Sequence, residues 1–177
     1  LTATTQYRVF LSSTASGCED IFSTIITVDV TPDIAITSPP VGNAICSGGS
    51  HTMTVAANGS PGIQYQWEIY SSGIWVPISG ATASTYIAGP LTSTTEYRVF
   101  VYANQSGCED VYSSPVTVTV FPDINISAQP VGGAICTGGD FNLTVTASGS
   151  PDIHYQWQSY NGTSWSVVGA DSPNYNT

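Results

Sequence analysis

The sequence predicts an all-β protein built from tandem β-sandwich domains arranged end to end. An internal repeat is the first reason: Ile63-Gln64-Tyr65-Gln66-Trp67 returns as Ile153-His154-Tyr155-Gln156-Trp157, an offset of 90 residues (153 − 63 = 90). The second reason is a period-two alternation of apolar and polar residues over short segments, typical of strands with one buried face. Finally, only 8% of the residues are charged, so the polar surface comes from Ser, Thr, Asn, Gln and Gly, which favour strands and turns over helices.

The same offset predicts the domain boundaries. Residues 1–31 are expected to be the C-terminal strands of a preceding repeat, 32–121 a complete repeat, and 122–177 the N-terminal part of a following one. Because Leu1 aligns with Leu91, inside a repeat, we expect the chain to be a segment of a longer protein whose export signal and anchor lie elsewhere. Proline at each junction, without a Gly/Ser-rich tether, predicts a stiff rod.

Each predicted strand lies between turn signals rich in Gly, Pro and Ser. In the first 31 residues, two alternating segments on either side of Ser16-Gly17 predict a hairpin. In the complete repeat, strands are expected near 33–37, 43–46, 51–57, 63–70, 74–79, 84–88, 95–103 and 114–121.

Charge and composition argue against several classes of function. The formal net charge is -10, from 2 Lys and Arg against 12 Asp and Glu, which disfavours binding to nucleic acid or to anionic lipid. No run approaches the ~20 apolar residues of a membrane-spanning helix, so no membrane insertion is expected. The two histidines occupy non-equivalent positions of the repeats and the chain has no lysine. We therefore expect no enzymatic activity and no cofactor.

The complete repeat resembles an immunoglobulin domain. Val55 is followed twelve residues later by Trp67, and Tyr97 stands two residues before Val99. This spacing is similar to strand B, the buried Trp of strand C and the tyrosine corner of strand F. The resemblance implies a core of Val55, Trp67, Tyr97 and Val99, with Trp157 as the equivalent of Trp67. Valines stand where many immunoglobulin domains have their linking cysteines, so packing around Trp67 must replace that bridge.

A second resemblance rests on three motifs: I-C-S/T-G-G before strand B, Y-Q-W on strand C and S-G-C-E-D after strand F. Together they are similar to the immunoglobulin-like repeats of large surface adhesins of Bacteroidota, typically exported by the type IX system. The resemblance implies an extracellular shaft or spacer whose partners are neighbouring repeats of the same protein. Two alternatives stay open: a glycan-binding adhesive module, and an accessory module of a secreted polysaccharide-degrading enzyme.

Four cysteines, Cys18, Cys46, Cys108 and Cys136, occupy equivalent positions in successive copies, without a CxxC pair or a histidine at metal-ligand spacing. Disulfides in an oxidising compartment are the expected state. On immunoglobulin topology, Cys46 and Cys108 would lie at opposite ends of one sandwich. We therefore expect each bridge to cross a junction, with Cys46 joined to a copy of Cys108 beyond Thr177 and Cys108 joined to a copy of Cys46 before Leu1.

Two groups of surface residues are candidate binding sites. Asp33, Asp123, Glu109 and Asp110 carry oxygen ligands suited to Ca²⁺, but no dense acidic run occurs, and turn-forming acids on a solvated surface are the favoured interpretation. The second group is an aromatic stripe facing away from the core, consisting of Tyr70, Trp75, Arg98, Phe100 and Tyr102. This stripe is interpreted either as cross-strand packing with Arg98 over a ring, as a lateral contact between rods, or as a glycan platform.

Overall fold

The computed structural model describes residues 1–104 and 108–177. Ser106 and Gly107, from the S-G-C-E-D motif of the complete repeat, lie outside the described residues. Over the described ranges the chain forms strands, turns and irregular segments, without a helix. The prediction of an all-β protein is confirmed.

The strands follow in chain order. Residues 1–31 contain β1 (Thr5–Tyr7), β2 (Phe10–Leu11), β3 (Ile21–Phe22) and β4 (Ile26–Val28). The segment 32–121 contains β5 (Ala35–Ser38), β6 (Ala44–Cys46), β7 (His51–Thr54), β8 (Ala56–Asn58), β9 (Gln64–Ser71), β10 (Ile74–Pro77), β11 (Thr85–Ala88), β12 (Thr95–Tyr102), β13 (Val111–Tyr112) and β14 (Val116–Phe121). The remainder contains β15 (Asn125–Ala128), β16 (Asn142–Thr144), β17 (Thr146–Ser148), β18 (Trp157–Tyr160), β19 (Trp165–Val168) and β20 (Asn174–Asn176).

The chain divides into two compact units, each made of discontinuous segments. The first consists of Leu1–Val41, Thr52–Tyr86 and Glu96–Val116, and the second of Gly42–His51, Ile87–Thr95 and Thr117–Thr177. These units do not follow the repeat boundaries expected from the sequence. The division at 32 and 122 therefore stays a prediction.

In the first unit, β9 is the central strand of an antiparallel sheet. It pairs with β10 on one side and with β12 on the other, and β12 also pairs with β13. The register places Trp67 opposite Val99 and Gln66 opposite Phe100. Because neighbouring residues of a strand face opposite sides, Trp67 and Val99 face inward and the pair beside them faces outward.

The core of this unit is built around Trp67, whose side chain is 0% exposed. Its ring stacks on Tyr86 at 5.8 Å between centroids, and Tyr86 in turn contacts Tyr97 at 5.8 Å. The indole Nε1 donates a hydrogen bond to the carbonyl of Ala83 at 2.9 Å, so its one polar atom is satisfied. Among the described residues of this unit, the other fully or nearly buried apolar side chains are Ile34, Met53, Val55, Tyr97, Val99 and Val101.

The strand predictions for the complete repeat need correction in two places, the first of which is β13 (Val111–Tyr112), a strand that was not expected. The segment 51–57 was expected to be a single strand, but it forms β7 and β8, interrupted at Val55. β7 pairs with β11 while β8 pairs with β5, and the Val55 N–H donates to the carbonyl of Ser84. The chain changes partner at Val55, and period-two alternation contains no information about such a change.

In the second unit, β6 pairs in parallel with β14, and the last third of the chain forms the antiparallel pairs β15–β17, β16–β20 and β18–β19. Trp157, expected in the core, is only half-buried. Its ring stacks on Tyr175 and its Nε1 donates to the carbonyl of Ser172, much as Trp67 does with its own neighbours. The difference is that residues 122–177 contain no counterpart of β12 to cover this indole.

Candidate functional site

The candidate site is the outward face of β9, β10, β12 and β13 in the first unit, which we call the outer aromatic face. The strand register brings Trp75 opposite Tyr70, Arg98 opposite Glu68, and Phe100 opposite Tyr112. The five residues expected to form a stripe, Tyr70, Trp75, Arg98, Phe100 and Tyr102, all lie on this face, and Glu68 and Tyr112 join them.

Arg98 is the centre of the outer aromatic face. Its Nε lies 2.6 Å from Oε2 of Glu68, a carboxylate that is almost fully buried. The guanidinium carbon lies 4.6 Å from the ring centroid of Trp75 and 4.1 Å from that of Tyr112. A cation between two ring faces and against a carboxylate is stabilised by both kinds of interaction. The arrangement fixes three neighbouring strands to one side chain.

The remaining rings pack against each other. Phe100 stacks on Tyr102 at 5.1 Å and on Tyr112 at 4.6 Å, while Tyr70 contacts Trp75 at 5.1 Å. Contacts of this kind contribute roughly 0.5–1.5 kcal/mol each beyond the area that they bury. The observed packing is the cross-strand arrangement that was one of the three interpretations of the stripe.

Sequence reasoning missed Glu68 and Tyr112. A signal for Tyr112 was present, because its equivalent in the first copy is Phe22 (112 − 90 = 22), also aromatic. In the structure Arg8 lies over Phe22 with 4.0 Å to the ring centroid, as Arg98 does over Tyr112. The signal for Glu68 was weaker, because the equivalent residue of the last copy is Gln158.

The acidic candidates for calcium do not form a metal site. Among the described residues no group of three or more His, Cys, Asp or Glu side chains is placed to hold a metal ion. Asp33 and Asp123 each follow a junction proline, and in both copies the main-chain carbonyl of this aspartate packs closely against a glycine, Gly59 or Gly149. The role that the structure gives these positions is a close main-chain contact with a glycine that is distant in the sequence.

All four cysteines are free thiols in the structure. Cys18, Cys46 and Cys136 are exposed, while Cys108 is half-buried with its Sγ 3.6 Å from Oγ1 of Thr31. The expected bridges across junctions would need cysteines of further copies, so that pairing stays a prediction.

His154 and Asp171 form a hydrogen-bonded pair in which the pKa of each side chain is shifted. His154 Nδ1 lies 2.5 Å from Asp171 Oδ2, and the Tyr155 N–H donates to Asp171 Oδ1. The hydrogen bond and the charge of Asp171 raise the pKa of His154 above 6.5. The Tyr155 N–H, and then His154, lower the pKa of Asp171 below 3.8. Both side chains are largely exposed, so the pair lacks the desolvation that usually adjusts catalytic groups.

Residues 1–104 and 108–177 contain no helix, and therefore no helix that is long and apolar enough to cross a membrane.

One family model matches part of this chain. The model of a family described as a domain of unknown function, DUF8696, matches residues 38–122. None of the curated proteins compared with the chain matches it.

Solved structures similar to this chain consist of several immunoglobulin-like domains in tandem. Domains 1–4 of Sidekick-1 match with a TM-score of 0.52 and 18% identity, over 85% of this chain and 42% of that one. Extracellular domains 3–5 of Drosophila OTK match at 0.53 and 17%, over 93% and 54%. The I67–I69 fragment of titin matches at 0.54 and 14%, over 94% and 58%.

The chain therefore spans about half the length of the structures that it matches. At these identities the likeness concerns the fold alone. It confirms the expected fold class, tandem immunoglobulin-like β-sandwich domains.

Proposed function

We propose that the chain is a mechanical repeat, a shaft or spacer segment of a long extracellular adhesin or surface fibre. The observation that supports this most is the parallel pairing of β6 with β14, the second strand and the last strand of the segment 32–121. Thr119, Val120 and Phe121 pair in register with Ala44, Ile45 and Cys46. Main-chain hydrogen bonds extend the ladder at both ends, from Thr119 N–H to Asn43 and from Ser47 N–H to Phe121.

This geometry resists tension along the chain. A force on the segment pulls β6 toward its N-terminus and β14 toward its C-terminus. Because the strands are parallel, these forces slide one strand along the other and load the ladder hydrogen bonds together, whereas a hairpin pulled from its open end loses its bonds one at a time. A repeat whose second and last strands are joined in shear is suited to transmit force.

The bacterial origin and the export route belong to the same proposal. The I-C-S/T-G-G, Y-Q-W and S-G-C-E-D motifs support a surface protein of Bacteroidota exported by the type IX system, with neighbouring repeats as its partners. We propose no enzymatic role. The acid–base pair found among the described residues, His154 with Asp171, is exposed to solvent and lacks the burial that usually adjusts the pKa values of catalytic groups. Further 90-residue copies in the complete gene product would support the fibre, and an adjoining catalytic domain would support the accessory module.

Force spectroscopy on a chain held at its two ends tests the mechanical role. Ser47→Pro removes the N–H that donates to Phe121, whereas the control Ser47→Ala keeps it. We expect the proline variant to unfold at a clearly lower force and the alanine variant to match the native chain. Equal unfolding forces for all three chains would contradict the proposal.

The outer aromatic face bears on the glycan alternative. Its aromatic rings pack against one another and against the guanidinium of Arg98, which supports a structural role for this face. Phe100→Ala together with Tyr102→Ala tests the point: loss of glycan binding at an unchanged melting temperature would favour the adhesive module over the shaft.

A further inference from the structure

The chain contains two Asn-Gly dipeptides, Asn58-Gly59 and Asn161-Gly162, and the structure holds them in different ways. In such a dipeptide the main-chain nitrogen of the glycine can attack Cγ of the asparagine side chain, because glycine has no Cβ to hinder the approach. The rate of this reaction depends on how closely the fold lets the two atoms approach each other. The surroundings of the two asparagines therefore decide which of them reacts.

Asn161-Gly162 lies in the turn of the β18–β19 hairpin. Residues 161–164 connect the two strands, and all four are exposed. The Asn161 N–H donates to the carbonyl of Ser164 at 3.2 Å and closes the turn. Gly162 has a φ of 95°, in the left-handed region that glycine adopts without strain. Asn161 is therefore in contact with water in a short turn.

The exposure of this turn is a property of the hairpin itself. In the complete repeat the equivalent turn, at Ser72-Gly73 between β9 and β10, is also exposed, although β9 pairs with a strand on each side. Ser72 is the equivalent of Gly162 (162 − 90 = 72), and it too has a positive φ, of 53°. The tip of this hairpin thus faces solvent in a complete sandwich as well.

The side chain of Asn161 is folded back over the turn. Its Oδ1 accepts hydrogen bonds from the main-chain N–H groups of Thr163 and Ser164, both at 2.9 Å. A side-chain oxygen bonded to the N–H two residues later holds the amide group beside the intervening peptide nitrogen, here that of Gly162. Two donors at Oδ1 also stabilise the negative charge that develops on this oxygen when a nucleophile adds to Cγ. The turn therefore both positions and activates the amide.

Asn58-Gly59 is held differently. Asn58 is the last residue of β8 and pairs with Ala35 of β5. At Gly59 a Cβ would lie 2.1 Å from the carbonyl oxygen of Asp33, so the main chain is packed there against another segment. Bringing the Gly59 nitrogen to Cγ of Asn58 requires a rotation of the main chain between them, which this pairing and this contact oppose. The fold therefore protects Asn58.

We propose that Asn161 is a site of spontaneous deamidation in the folded protein. The Gly162 nitrogen forms a bond to Cγ of Asn161, the bond from Cγ to Nδ2 breaks, and Nδ2 leaves as ammonia with the proton of the Gly162 N–H. Water then adds to one of the two carbonyls of the five-membered ring and opens it. Opening at Cγ gives aspartate, and opening at the main-chain carbonyl gives isoaspartate. Water is the only co-reactant.

The two products differ in their effect on the hairpin. Aspartate keeps the acceptor for Thr163 and Ser164, and its charge strengthens both hydrogen bonds. Isoaspartate inserts Cβ into the main chain, so the turn no longer matches the β18–β19 register. Either product adds one negative charge to a chain whose net charge is already -10. The negative charge of the protein therefore increases with its age, and this proposal does not depend on the mechanical role.

Incubation of the native chain at neutral pH, followed by peptide mapping with mass spectrometry, tests the site. In the folded chain we expect Asn161 to be lost at least about tenfold faster than Asn58. In guanidinium chloride both should be lost at similar rates, because the fold no longer distinguishes them. Loss of Asn161 in the folded chain that is no faster than that of Asn58, or that is slower than in guanidinium chloride, would overturn the proposal.

A matched pair of variants tests the role of the Gly162 nitrogen. Gly162→Ser adds a Cβ beside this nitrogen, and the complete repeat has Ser72 at a positive φ in the equivalent position. Thr163→Gly introduces the residue that the complete repeat has as Gly73, and it leaves Asn161-Gly162 intact. We expect Gly162→Ser to slow the loss of Asn161 about tenfold and Thr163→Gly to change it less than about twofold. Equal rates in the two variants would overturn the proposal.

Discussion

At the scale of single residues, Trp67 dominates the energetics of the complete repeat. It is fully buried, it contacts the ring of Tyr86, and its one polar atom is hydrogen-bonded to Ala83. No disulfide supports this core, because valines occupy the two positions where many immunoglobulin domains have cysteines. Burying a large apolar side chain contributes about 1.5–3 kcal/mol, so a few residues around this indole replace the bridge.

Trp67→Ala is expected to lower the free energy of unfolding by about 3–5 kcal/mol, the cost of a large cavity in a packed core. Urea unfolding followed by fluorescence would measure it. Trp165→Ala is the control, since this exposed indole should change the free energy by only about 0.5 kcal/mol. A loss below about 1 kcal/mol for Trp67→Ala would mean that the core is centred elsewhere.

The His154–Asp171 pair predicts a pH dependence that can be observed at one residue. The raised pKa of His154 stabilises the fold below about pH 6.5, and this stabilisation is lost as the pH rises through the folded-state value. The lowered pKa of Asp171 stabilises the fold above pH 3.8. This stabilisation is lost as the pH falls through the pKa that Asp171 has in the folded state. Both contributions are therefore fully present together between these two limits.

NMR titration of the His154 ring is the measurement, and Asp171→Asn should return its pKa toward 6.5. Asp152, whose charge makes a smaller contribution to the same shift, provides the control variant Asp152→Asn. Because the pair is exposed, added salt should also reduce the shift. An unchanged pKa in Asp171→Asn would refute the assignment.

At the scale of elements, β12 links the core to the outer aromatic face. Alternate residues Tyr97, Val99 and Val101 are buried, while Arg98 and Phe100 between them face the outer rings and Glu68. Because successive side chains of a strand point to opposite faces of the sheet, β12 contributes residues both to the core and to the outer aromatic face. The paired register with β9 is what brings the buried carboxylate of Glu68 to Arg98.

Arg98→Ala is expected to cost about 3 kcal/mol, largely because it leaves a buried carboxylate without a partner. Adding Glu68→Gln should recover part of this loss, since glutamine carries no charge and stands at the equivalent position 158. The free energies of unfolding of the native chain, the two single variants and the double variant, measured by thermal or urea unfolding, form a double-mutant cycle. Strictly additive losses would contradict a direct coupling between the two side chains.

At the scale of the whole molecule, the sequence predicts how copies follow one another. Pro122 directly follows the last residue of β14, whereas Pro32 stands four residues after the last residue of β4. Proline restricts both its own φ and the residue before it. Stiff junctions and the parallel pairing of β6 with β14 would both serve the transmission of force along a fibre.

Successive domains of a longer array are expected to repeat at roughly 40 Å, the length of about 12 extended residues. Electron microscopy or solution scattering of an array of several copies would measure this spacing. Sharply folded or freely jointed neighbours would contradict it.

The disulfide prediction belongs to the same scale. In an oxidised array, a non-reducing peptide map should join Cys46 to the equivalent of Cys108 in the next copy, because a sandwich strand of six residues separates its two ends by about 20 Å and a disulfide needs Cα atoms within about 7 Å. Cys46 joined to Cys108 of the same repeat would be the contrary result.

The sequence by itself determined the fold class, the approximate positions of most strands of the complete repeat and the inward direction of Trp67 and Val99. These follow from the local alternation of apolar and polar residues, from turn-forming residues, and from an internal repeat with a constant offset of 90 residues. The tertiary structure alone decided which strands pair: the change of partner at Val55, the parallel β6–β14 ladder, and the closure of Glu68 and Tyr112 on Arg98. Alternation assigns a side chain to a face of its strand, but its partner on that face comes from a strand far away in the chain. For the same reason Trp157, which follows the same Tyr-Gln dipeptide as Trp67, is half-exposed within residues 122–177, which contain no counterpart of β12.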